Sequence, residues 1–168
     1  MSFFSSHYRL RVLFLFVGLL VSLLVVAQVT LKYRMLNGYA LSDDAPLTKG
    51  KPTMFILDQA DAFEKVFKPA QVGGKRPDVP NFARETAIGI VLPPSTKPPR
   101  VSISRVFVQD SVLNVRYIRI KDTTRNKTPL VTPVQPTLLL AIPAQKVLKT
   151  RLIENGKVIV TLRTKEEK

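Results

Sequence analysis

Cysteine is absent from all 168 residues. That excludes a disulfide framework, a thiolate metal site, a cysteine nucleophile and lipid attachment through an N-terminal lipobox cysteine. Histidine is nearly as scarce. His7 is the single one and precedes the first long apolar stretch. Everything after it therefore lacks an imidazole for a Ser-His-Asp arrangement, a proton shuttle or a metal site. Only 12 residues are acidic. Asp43-Asp44 and Glu166-Glu167 fall in polar segments, and Asp58, Asp61 and Glu64 suit the capping and solvation of a short helix better than metal ligation. Ser95, Ser102, Ser104 and Ser111 share the chain with many lysines, but no spacing singles out a Ser-Lys dyad. The sequence thus names no catalytic, cofactor-binding or metal-binding residue. It reads as a non-enzyme that needs no cofactor.

What is present begins with the apolar run. Val12 to Leu31 carry no charge over 20 residues, and as a helix they would span roughly 30 Å, the thickness of a bilayer's hydrocarbon core. The expected organisation is a short tail (1–11), a transmembrane signal anchor (12–31), a tether (32–51) and a β-rich extracytoplasmic domain (52–168). Val25-Val26-Ala27 would also permit cleavage before Gln28, making the run a leader, although Lys32 and Arg34 follow closely and hinder export. Arg9 and Arg11 favour a cytoplasmic N-terminus. The expected location is the bacterial inner membrane, single-pass, with the C-terminal domain outside the cytoplasm.

The tether assignment rests on Gly, Pro, Ser and Asp without periodicity between 35 and 51. Thr53 to Leu57 reads as a buried strand, and Asp58 as N-cap of a helix over about 59–67 that Pro69 ends. Glu85 to Leu92, Val101 to Val108, Val112 to Lys121 and Thr137 to Ile142 read as strands, the last of them central. Val101, Ile103 and Phe107 share a face with Arg105, which hints at a bulge or partial exposure. Asn155-Gly156 suits a type I′ turn between Val147 to Ile153 and Lys157 to Leu162. The fold class is α+β, mostly antiparallel β-sheet with one short helix, preceded by an N-terminal transmembrane helix.

Charge supplies the partner argument. The 26 Lys and Arg give a net charge of +14, and setting aside the four that flank the apolar run leaves the domain at about +10. Such a field attracts an acidic protein face, an anionic polymer or lipid headgroups. Arg100, Arg105, Arg116, Arg119 and Lys121 lie on adjacent expected strands near Phe107 and Tyr117, and they are the candidate partner-binding residues. No nucleic-acid-binding motif accompanies them, and a membrane anchor would remove the domain from nucleic acid.

Residues 81–143 resemble the PrcB-type domain, a family named for a subunit of a bacterial surface protease complex. The matching stretches are Asn81-Phe82, Glu85 to Ile90, Leu113 to Tyr117 and Pro136 to Pro143. Where the family commonly carries Thr-Gly-Gly-Tyr, this chain has Thr96-Lys97-Pro98-Pro99-Arg100, so no role of that turn carries over. The resemblance implies a non-catalytic accessory domain of an envelope protein assembly. The expected function is thus a membrane-anchored accessory subunit that binds a partner protein; the alternative is a binding module for an anionic envelope polymer or lipid headgroups.

Overall fold

Short strands with β-branched and aromatic residues, punctuated by Pro, Gly and Asn, must pair across the chain to bury their apolar faces. The computed structural model describes residues 28–70, 77–121 and 128–163. The expected tail and residues 12–27 of the expected transmembrane helix lie outside them. Among the described residues no helix is long and apolar enough to cross a membrane.

Among the described residues eleven strands and one helix follow in order: β1 (Val29–Thr30), β2 (Arg34–Met35), β3 (Tyr39–Leu41), β4 (Thr53–Leu57), α1 (Ala60–Val66), β5 (Phe67–Pro69), β6 (Glu85–Val91), β7 (Arg100–Gln109), β8 (Val112–Ile120), β9 (Thr137–Pro143), β10 (Lys149–Glu154) and β11 (Lys157–Arg163). They form a five-stranded sheet in the order β1-β7-β8-β10-β11, a four-stranded sheet β2-β9-β6-β4, and the small pair β3-β5. All pairings are antiparallel except β8 with β10, which run parallel. The mostly antiparallel sheet with one short helix agrees with the sequence pattern.

The layers follow from which faces are apolar. One core cluster joins Val106, Leu113, Val115, Tyr117 and Leu152 of the large sheet to Ile88, Ile90, Leu140 and Ile142 of the smaller one. A second core lies on the other face of the four-stranded sheet. There Ala87, Val91, Leu139 and Ala141 pack under Phe63 and Val66 of α1 and Phe67 of β5. The four-stranded sheet is therefore covered on both faces. The five-stranded sheet is covered on one, and among the described residues no element packs over its outer face.

Three expectations are corrected. The apolar run does not continue as a helix to Leu31: Val29 and Thr30 pair with Val108 and Phe107 of β7. Leu31 is buried in the main core, and its N–H donates to the Val106 carbonyl at 2.9 Å. Nor is 32–51 a free tether, because β2 pairs with β9, Leu36 enters the second core and β3 pairs with β5. The physical reason is shared by both: Leu31, Leu36, Tyr39 and Leu41 supply apolar surface that the two cores need, and the edges of β7 and β9 offer backbone partners. Thirdly, the helix is N-capped at Gln59 without a side-chain cap bond, not at Asp58, and it ends at Val66. The chain turns straight into β5, where Pro69 forms the strand end.

Candidate basic face

The bulge expected from the sequence falls between Ile103 and Arg105. Before it Val101 and Ile103 face the core; after it Val106 and Val108 take that role. The slip sends Arg105 and Phe107 to the open face, where Arg105 lies opposite Arg116 and Phe107 opposite Asn114. One extra residue thus converts an awkward shared face into a clean division.

Arg105 and Arg116 both stack on the Phe107 ring, with guanidinium carbons 5.1 and 5.0 Å from its centroid. Phe107 is only 2% exposed although it stands on the outer face. Arg105 also donates to Thr30 Oγ1 at 2.6 and 3.2 Å. Arg116 has neither a hydrogen bond nor an ion pair among the described residues. Two like charges directly opposed on a sheet are destabilising, and here the aromatic ring between them offsets that cost through cation–π attraction. Glu154 is the only acidic residue in the strands of this sheet, and it sits on the inner side with Tyr117.

The five candidate residues separate by position. Arg100, opposite Ile120, joins Arg105 and Arg116 on the open face. Arg119 does not: it lies on the inner side at the sheet's end, 3.7 Å from Glu154, and its Nε is buried without a partner. Tyr117 donates its hydroxyl to the same Glu154. Burial, then that hydrogen bond, pushes the phenol well above its usual range. Asn155 closes this end by donating to the Arg119 carbonyl and accepting from its N–H, both at 3.0 Å. Arg119 is thereby a structural clamp. Lys121 is exposed just beyond β8. Arg151, opposite Asn114, was missed by the sequence reading; the parallel β8–β10 pairing that brings it beside Arg116 has no local signal. Exposed Ile118 and Ile120 add apolar contact area to the face.

Elsewhere, Ser95 donates its hydroxyl to the Lys97 carbonyl, and Ser111 lines a cleft of about 710 Å³ between the sheets together with Asp58 and Lys146. Among the described residues no group of three or more His, Asp or Glu could hold a metal ion. The basic face can bind anions and acidic surfaces, with Arg forks for carboxylate or phosphate and apolar isoleucines beside them.

No family model, no curated protein and no solved structure matches this chain.

Proposed function

We propose that this protein is a single-span, non-catalytic accessory subunit of a bacterial envelope complex, holding an acidic partner protein against the outer face of its five-stranded sheet. The anchor is the apolar stretch before Gln28, whose 16 uncharged residues 12–27 would make about 24 Å of helix and so need Arg11 to reach up to the headgroups, and the domain lies outside the cytoplasm. The observation that carries the reading is the Arg105–Phe107–Arg116 stack, an unneutralised pair of guanidiniums held rigid by an aromatic ring on an open sheet face. A cationic centre flanked by exposed isoleucines suits a protein-binding hot spot, in which Arg anchors are enriched; Phe107, 2% exposed, serves it by holding the guanidiniums, and among the described residues no carboxylate stands on this face. The PrcB-type resemblance of residues 81–143 implies the same role.

The test is purification of the full chain from native membranes in mild detergent through a C-terminal tag. A stoichiometric envelope protein with an acidic surface is the expected result; a chain that emerges alone contradicts it. A second reading, binding of an anionic envelope polymer, is favoured by the lack of any carboxylate on the face among the described residues. It predicts salt-sensitive binding of the purified chain to the isolated polymer without a protein partner.

A further inference from the structure

On the anchored reading given above, the direction of β1 sets which end of the domain lies nearest the apolar stretch. β1 runs antiparallel to β7, with Val29 opposite Val108 and Thr30 opposite Phe107. Traced backwards, the chain leaves the domain alongside Gln109, toward the Asp110–Ser111 turn. Only Gln28 separates Val29 from the apolar residues 12–27, so β1 begins within about 7 Å of residue 27 even in a fully extended chain. With the expected tether woven into the fold, nothing lifts this end away.

The end so placed carries the loop 144–148. The Leu148 N–H donates to the Ser111 carbonyl at 2.9 Å, fixing the loop beside the β7–β8 turn. Leu148 is 61% exposed, with Lys146 and Lys149 on either side of it. Lys149 lies opposite both Val112 and Arg163. Ala144 donates to the Arg84 carbonyl, which brings a further cation to the same end. Among the described residues, Asp58 shares a cleft with Lys146, Asp110 lies in the adjoining β7–β8 turn, and Glu85, next to Arg84, is tied to Arg34. An exposed leucine between two long lysines can bury its side chain in the headgroup boundary while the amines reach the phosphates.

We propose that this end of the sandwich, the 144–148 loop with Lys149, docks on anionic lipid headgroups of the membrane that holds the apolar stretch, leaving the basic sheet face free for its partner. The docking rests on the anchored reading given above and adds a second, separate surface to it. Each lysine near an anionic membrane strengthens its attraction several-fold.

The absence of cysteine makes the test direct. An environment-sensitive dye is attached to the full chain at Leu148→Cys or, at the opposite end of the sheet, at Ile120→Cys. Each is reconstituted into phosphatidylcholine vesicles with and without phosphatidylglycerol, and quenched by headgroup nitroxide lipids. The dye at position 148 should be quenched and the dye at 120 spared. Quenching at 148 should fall several-fold without phosphatidylglycerol or with Lys146→Glu/Lys149→Glu. Equal quenching at the two positions, or no response to either charge change, overturns the docking. A dye at 148 that is shielded in native membranes but not in pure lipid would assign this end to a protein, which also overturns it. Alkaline carbonate extraction of the same vesicles reads the anchor separately. A chain that resists extraction with position 148 unquenched defeats the docking alone. An extracted chain defeats the anchor, while the quenching measured beforehand still decides the docking.

Discussion

Arg116 stands in a position that stability alone would not choose. It opposes Arg105 across the β7–β8 pair and has no counterion among the described residues. Arg116→Glu should therefore change stability by no more than about 1 kcal/mol, because the opposite-charge cross-strand pair it creates is set against the cation–π contact with Phe107 that it removes. Partner capture should fall at the same time. Thermal melts read beside pull-down yields check both, and a melt lowered by several degrees would show that Arg116 is structural. Gly89 represents the reverse case. A Cβ there would lie 2.5 and 2.6 Å from atoms of the Phe67 ring. That ring is 1% exposed and is held edge-on by Phe55 and tilted against Phe63, so it cannot swing aside. Gly89→Ala should cost about 1–3 kcal/mol by overpacking, measured by denaturant unfolding, with binding per folded molecule unchanged.

Elements with their own periodicity were legible. β4, β6 and β9 could be read from apolar runs between prolines, and the Asn155-Gly156 turn from its dipeptide, whose φ values of 48° and 87° meet the type I′ requirement. The segment 28–41 was misread because Val29 and Leu31 close an apolar run, where they look like lipid-facing residues. Only the unpaired edges of β7 and β9, made by residues more than 70 positions later, claim them for the domain. Leu31→Ala tests this: a buried core leucine should cost about 2–5 kcal/mol, whereas a residue in a membrane anchor would leave the domain's melt unchanged. The strap also carries an acid-sensitive tie. Arg34 on β2 forks onto Glu85 on β6, at 3.1 and 2.8 Å. This hydrogen bond, then the Asn81 N–H, holds the Glu85 carboxyl below its ordinary 4.5. A carboxylate depressed in the folded state adds stability above its unfolded pKa and loses it as pH falls through the folded one. Stability should thus decline below pH 4.5, and Glu85→Gln should flatten that decline. At neutral pH the substitution should cost no more than about 1 kcal/mol, since the pair is partly exposed and screened.

At the scale of the whole molecule, three layers leave one broad sheet surface uncovered, and the cations gather there. The sequence marked Arg100, Arg105 and Arg116 as candidates, but it could not separate them from Arg119. That distinction depends on the bulge at Ile103/Arg105 and on Glu154 arriving from β10. The proposed protein partner sits on this open face. A photo-reactive residue placed at Ile118 in the full chain, with a control at Glu64 on α1, tests it in native membranes. One discrete protein adduct is expected from position 118, lost with Arg105→Glu/Arg116→Glu, and none from position 64. Adducts from position 64 alone, or an adduct at 118 indifferent to the charge reversal, would contradict it.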